Sequence, residues 1–217
     1  MKRIFLVFLL SAVTALPQVA DKANAGYRTK EGRERVARKL GAHDRDTQQK
    51  PDELIAAIGI RPGMTAADIG TGIGYMLPFL SRAVGSGGRV IAEDIFTDFL
   101  EQAKATAREK NLANVEFVHG TTKGAELPAD SVDVALVLDA YHHFDYPEAM
   151  LASIRSSLRK GGRIVIVDFY KEGFGDPDHI RLDEADVIKE VEANGFRFVS
   201  RREHMPKRQY MAVFEKK

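Results

Sequence analysis

Ala67-Asp68-Ile69-Gly70-Thr71-Gly72-Ile73-Gly74 decides how this chain is read. The stretch begins inside a short strand candidate, 65–69, and then places three glycines at alternate positions. Glycine reaches backbone conformations closed to other residues and lets a ligand approach the main chain closely. A strand that runs through such a turn into a helix builds the ligand-binding edge of an open α/β sheet. The spacing departs from the dinucleotide fingerprint G-x-G-x-x-G. The third glycine comes one residue early, and Tyr75 stands where that pattern needs glycine. No phosphate loop of the form G-x-x-x-x-G-K-[ST] occurs. The turn therefore suits a nucleoside-type ligand without a pyrophosphate.

Moving outward, the next strand candidate, 89–94, ends in Glu93-Asp94. A carboxylate at such a strand end can accept hydrogen bonds from both hydroxyls of a ribose. Taken together, the glycine turn and Asp94 point to an adenosine site. Strands and helices alternate around this pair. Helices are predicted over 31–40, from Pro51, and over 75–84, 97–110, 147–158 and 183–193. Further strands are predicted over 115–118, 132–138 and 163–169. A last pair, 196–201 and 209–215, can run antiparallel. Val132–Leu138 is almost wholly apolar, as a strand covered on both faces must be. This alternation predicts a doubly wound α/β domain with a mainly parallel sheet.

The ordered series of motifs carries a resemblance. It runs through Ala67 to Gly74, then Val90-Ile-Ala-Glu-Asp94, Val115-Glu-Phe-Val-His-Gly120 and Ala125-Glu-Leu-Pro128. It continues in Ser131-Val-Asp-Val-Ala-Leu-Val-Leu-Asp139, Ala140-Tyr-His-His143, Leu158-Arg-Lys-Gly-Gly-Arg-Ile164 and Ala193-Asn-Gly-Phe196. Over about residues 51–217 the chain resembles class I S-adenosylmethionine-dependent methyltransferases. The resemblance implies a Rossmann-like, seven-stranded, mostly parallel sheet whose last strand is antiparallel. It implies S-adenosyl-L-methionine as cofactor and a small-molecule methyl acceptor. By position, Gly70, Thr71, Gly72 and Gly74 would line the methionine and ribose, and Asp68 would hold the turn. Asp94 would bind the ribose diol, Gly120 and Thr121 would meet the adenine, and Asp139 would border the pocket. Many family members have an acidic residue after the position of Gly120; this chain has Thr121-Thr122, whose hydroxyls accept more weakly. A weaker likeness to quinone-biosynthesis methyltransferases bears on the acceptor. Gly70 to Tyr75 also resembles the isoaspartyl protein carboxyl methyltransferases. A cofactor-binding module without transferase activity is a third reading.

On the acceptor side, His142 and His143 are the candidate catalytic bases, since histidine exchanges protons near neutral pH. The pair with Asp139 and Asp145 lacks a longer-range ligand set, so no metal site is expected. The charged segment 26–50, with Tyr27 and Arg45, is a candidate lid or linker, and 169–179, with His179, is another.

Composition narrows the field further. With 32 basic and 31 acidic residues, nothing calls for a nucleic-acid partner. The absence of Cys excludes disulfides, thiol nucleophiles and Cys-based zinc sites. The first 25 residues have a positive start, an apolar run from Ile4 to Leu16, and small residues at Ala23 and Ala25. This is the pattern of a signal peptide, with cleavage predicted after Ala25 and a periplasmic destination. The apolar run is too short for an ordinary membrane span, so no span is expected after cleavage, although a cytoplasm-facing anchored form is an alternative.

Overall fold

The computed structural model describes residues 18–217; the start of the predicted signal peptide and its apolar run lie outside them. A single seven-stranded sheet organises the chain, in the order β3-β2-β1-β4-β5-β7-β6. Its strands are β1 (Thr65–Ile69), β2 (Arg89–Asp94), β3 (Val115–His119), β4 (Val132–Leu138), β5 (Leu158–Phe169), β6 (Phe196–Met205) and β7 (Gln209–Lys216). Strands β1 to β5 pair in parallel, and β7 lies antiparallel to both β5 and β6. This is the predicted sheet, with its one reversed strand inserted next to the edge.

Among the described residues, four α-helices precede β1: α1 (Asp21–Asn24), α2 (Lys30–Leu40), α3 (Arg45–Gln49) and α4 (Pro51–Ile58). The others are α5 (Leu77–Val84), α6 (Thr97–Glu109), α7 (Pro147–Ser157) and α8 (Glu184–Ala193). Alternate residues of the central strands feed two cores. Ala135 and Val137 of β4 face Leu151 and Ile154 of α7 and Val187 and Val191 of α8. Val134 and Leu136 face Leu54 and Ile58 of α4, Leu77 and Leu80 of α5 and Ala103 of α6. Residues 134–138 of β4 are thus buried whichever way they point, which is why this strand reads as a nearly continuous apolar run. No helix among the described residues is long and apolar enough to cross a membrane.

Several boundaries differ from the sequence reading. The first helix after the glycine turn starts at Leu77, with Pro78 in its first turn, because Gly74 to Met76 complete the turn. Strand β5 begins at Leu158, five residues early, through a register shift against β4 between Val132 and Val134. Strand β6 continues to Met205 because its ladder with β7 persists to Gln209. Its Arg201-Arg202-Glu203 stretch lies on the exposed edge, so apolar alternation does not mark it.

The N-terminal segment is docked on the sheet. The Thr29 hydroxyl caps α2 by accepting from Gly32 N at 3.1 Å. Arg33 Nε donates to both carboxylate oxygens of Asp98 on α6, at 2.7 and 3.0 Å. Gln49 Nε2 donates to Gln209 Oε1 at 3.0 Å, which ties α3 to β7. The docking starts before residue 26: Ala20 and Ala23 are buried, and Val19 N donates to Asp145 O at 3.1 Å.

Candidate active site

The strand order reverses between β1 and β4, and a cleft opens there at their carboxyl ends. Its floor is the glycine turn. Gly70 has φ +70°, and a Cβ there would lie 2.9 Å from Ala140 Cβ, so only glycine fits where the two strand ends meet. Beneath the turn, buried Asp68 accepts from the Thr71 hydroxyl at 2.7 Å. Burial pushes its carboxyl up to about 6, against that hydrogen bond and the charge of Arg45.

The end of β2 supplies two carboxyls. Asp94 Oδ2 accepts from Gly72 N and Oδ1 from Phe96 N, each at 2.9 Å. These bonds aim the carboxylate and couple it to the glycine turn, while lone pairs remain for a ligand. Burial raises its pKa to about 6, with the two backbone amides opposing. Glu93 Oε2 accepts from Gly70 N at 3.2 Å, and Oε1 has no partner among the described residues. Burial, reinforced by Asp94, holds the Glu93 carboxyl well above the usual range. Gly120 makes room for it, since a Cβ there would fall 1.8 Å from Glu93 Oε1.

Asp139 directly follows β4 in the left-handed region, at φ +53°, which Asp tolerates better than most residues. Gln209 Nε2 donates to its Oδ1, and Arg45 Nη2 lies 3.8 Å from its Oδ2. Burial raises this carboxyl to about 7, and Arg45 opposes the rise. The Arg45 guanidinium is itself 3.9 Å from the centre of the Tyr75 ring. A lid side chain is thus clamped between the glycine turn and the end of β4. Tyr27 stacks on Phe96 at 5.8 Å and meets the His143 ring edge-on at 4.7 Å.

Of the residues singled out from sequence, Gly70, Thr71, Gly72, Asp94, Asp139 and His143 line the cleft. Asp68, Gly74, Gly120, Thr121 and His142 do not. Asp68 and Gly120 support residues that do. Thr121 closes a tight turn, its N donating to Gly124 O at 2.8 Å, and this turn presents Thr122 to the cleft in its place. The sequence reading gave no role to Asn24 or Glu93 and named Thr122 only alongside Thr121; all three also line it.

His142 lies behind the cleft. Its Nδ1 is 2.6 Å from Asp168 Oδ1, and its backbone N donates to Asp168 Oδ2 at 3.0 Å. Burial works to lower its pKa, but Asp168 outweighs it and the net direction is up. His143 Nδ1 lies 2.9 Å from Asn24 Oδ1. Burial, then the neighbouring His142 and His179, hold its pKa well below 6.5, so it is neutral at physiological pH. Asp139 and Asp145, weighed above as partners of this pair, are engaged elsewhere, by Gln209 and by Asn24.

Residues 67–166 match the family described as a methyltransferase domain. The match spans the sheet from β1 into β5. A crystal structure of an S-adenosylmethionine-dependent methyltransferase from Aquifex aeolicus superposes with a TM-score of 0.80 at 25% identity, over 84% of this chain and 98% of that one. Among curated proteins, an uncharacterised 37.1 kDa protein in transposon TN4556 of Streptomyces fradiae is 35% identical over 134 residues, covering 62% of this chain and 36% of that protein. The ubiquinone/menaquinone biosynthesis C-methyltransferase of Shewanella pealeana is 28% identical over 118 residues, covering 54% of this chain and 47% of that enzyme. The chain spans less than half the length of these curated relatives. The fold is also that of the [4+2]-cyclase SpnF, with a TM-score of 0.65 at 15% identity, so the sheet alone does not specify a reaction.

Proposed function

We propose that this protein binds S-adenosyl-L-methionine in the cleft between β1 and β4 and transfers its methyl group to a small-molecule acceptor. The observation that carries this reading is the Asp94 carboxylate, buried beside the glycine turn and aimed by Gly72 N and Phe96 N. A second feature fits the same ligand. The unpartnered, buried Glu93 Oε1 beside Asp94 lacks the polar partner that a buried oxygen ordinarily has.

When bound, the cofactor supplies an electrophilic methyl on a sulfonium. The residues of the chain do the rest. Asp94 orients the ribose through its diol, and the backbone of residues 70–72, whose amides are held by Glu93 and Asp94, lies close against the methionine portion. Thr122 supplies a hydroxyl to the cleft where many family members place a carboxylate. Tyr27, Arg45 and Asn24 cover the cleft and exclude water, which favours transfer to a held acceptor over hydrolysis. His143, neutral and held through Nδ1 by Asn24, keeps a lone pair on Nε2 that can accept a proton from the acceptor. The relatives named for quinone biosynthesis make ring-hydroxylated acceptors the first to test.

The test is to incubate the full chain with S-adenosylmethionine and a panel of quinols, catechols and peptides, measuring S-adenosylhomocysteine. Release that depends on a small-molecule acceptor supports the proposal. Release with isoaspartyl peptides alone would replace it by protein carboxyl methylation. Cofactor binding without release across the panel would favour the non-catalytic module.

A further inference from the structure

His142, His143 and His179 come together from two segments distant in sequence. One ring nitrogen of each lies within 4.8 Å of one from each of the others. The ring centroids are 4.1 Å apart for His142 and His143, 5.2 Å for His142 and His179, and 5.4 Å for His143 and His179.

Two of these rings are oriented by groups that only accept at that contact. Asp168 Oδ1 faces His142 Nδ1 at 2.6 Å, and Asp168 is itself fixed by His142 N at 3.0 Å and Phe169 N at 2.8 Å. Asn24 Oδ1 faces His143 Nδ1 at 2.9 Å. The Asn24 amide cannot be turned over without loss, because its Nδ2 donates to His143 O and to Asp145 Oδ1, both at 3.0 Å. Both contacts place the proton on Nδ1 and leave the lone pair on Nε2. A carboxylate or amide oxygen holding the far nitrogen of a ligating imidazole is the usual outer support of a metal site. The third ring is held by packing: Phe174 stacks on His179 at 4.7 Å with the planes 10° apart, and Ile180 beside it is buried.

We propose that His142, His143 and His179 bind one divalent transition-metal ion of the zinc type at the acceptor end of the cleft. Three imidazoles with no carboxylate ligand select zinc, cobalt or nickel over magnesium or calcium. Three protein ligands leave a fourth tetrahedral position open, the arrangement of catalytic rather than structural zinc. Ligand nitrogens about 2.0–2.1 Å from such an ion lie about 3.3 Å from each other. The cluster therefore tightens on binding, and the loop between β5 and α8 that carries His179 provides the movement. His143 lines both the cluster and the cleft, so the open position is beside the cofactor site.

Resting on the methyltransferase reading, the ion deepens it by naming a protic oxygen acceptor, an alcohol or phenol. With the Nε2 lone pair of His143 taken up by the ion, the metal replaces that histidine as the means of deprotonation: coordination lowers the pKa of the hydroxyl, which gives its proton to solvent. The O–CH3 bond then forms as the S–CH3 bond breaks, and sulfur keeps the electron pair. The products are a methyl ether, the neutral thioether and one proton.

The experiment uses the full chain without a histidine tag, stripped of metal and titrated separately with Zn2+ and Co2+. The expected result is one equivalent bound at sub-micromolar affinity, with the intense visible bands of tetrahedral Co2+. His179→Ala and His143→Gln should each weaken binding at least tenfold and abolish those bands, while His43→Ala, an exposed histidine elsewhere, should not. An S-adenosylmethionine titration of His179→Ala checks that this loop variant is folded and keeps the two proposals apart. Failure of the wild type to bind one equivalent, or unchanged binding in a folded His179→Ala, overturns the metal site and leaves the cofactor site standing.

Discussion

Replacing Asp94 by asparagine separates the charge of this side chain from its shape. An aspartate in water loses its proton near 4, but burial has moved Asp94 to about 6. Keeping it ionised in the folded apo protein above that pH therefore costs ~3 kcal/mol. Asparagine removes this cost and keeps one oxygen for the amide of Gly72 or Phe96, which both donate to the native carboxylate. The other backbone N–H then faces an amide nitrogen, a loss of about 1–3 kcal/mol. These opposing effects leave the apo stability of Asp94→Asn within ~2 kcal/mol of wild type. Cofactor binding has no such compensation. Charge-assisted bonds to the ribose diol contribute about 1.5–3 kcal/mol, so Kd should rise by about 10- to 150-fold. Calorimetric titration with S-adenosylmethionine at pH 8, paired with thermal melts of both apo proteins, reads the two effects separately. A Kd within threefold of wild type would refute the diol assignment. A large drop in apo melting temperature would mean that Asp94 is mainly a structural brace for the glycine turn.

The same carboxyl sets a pH dependence. Diol binding needs the ionised form, so affinity should be flat above about pH 6 and fall about tenfold per unit below it, by competition with a proton. Apo stability should run the other way. Asp68 and Asp94 are both raised to about 6, so the stability they contribute is fully present below pH 4 and is lost as pH rises through 6. Melts in which Asp68→Asn and Asp94→Asn leave the wild-type trend unaltered between pH 4 and 7 would contradict this. Thr122→Val should raise the cofactor Kd several-fold, by ~1 kcal/mol, while Thr121→Val leaves it unchanged, because only Thr122 reaches the cleft; equal effects in the titration would reject that distinction. A chain beginning at Gly26 lacks the Asn24 bonds to His143 and Asp145 and the buried Ala20 and Ala23. Its loss of about 2–3 kcal/mol should lower the melting temperature by about 4–10 °C relative to a chain beginning at Gln18. Identical melts would show that residues 18–25 are dispensable, as removal of a signal peptide after Ala25 requires.

What the sequence made legible was local. The glycine turn, the Glu93-Asp94 strand end and the apolar Val132–Leu138 run each follow from neighbouring residues, so the sheet and the edge where its cleft opens could be read from them. Positions that depend on contacts far apart in the chain could not. Arg45, Asp139 and Gln209 meet across three elements, with no spacing to announce it. His179 sits in a polar loop, and only the return of that loop over His142 and His143 makes it their neighbour. Asn24 falls in a stretch whose small residues read as a cleavage site, yet folded it holds a histidine of the cleft. Thr121 and Thr122 are adjacent and chemically identical, and the tight turn between Thr121 and Gly124 decides which one faces a ligand.

The central claim, that the cleft between β1 and β4 is an S-adenosylmethionine site, is tested most directly by titrating S-adenosylmethionine into the purified full chain by calorimetry. The account predicts one binding site of micromolar affinity, with S-adenosylhomocysteine competing for it. No heat and no competition from a well-folded protein would contradict it.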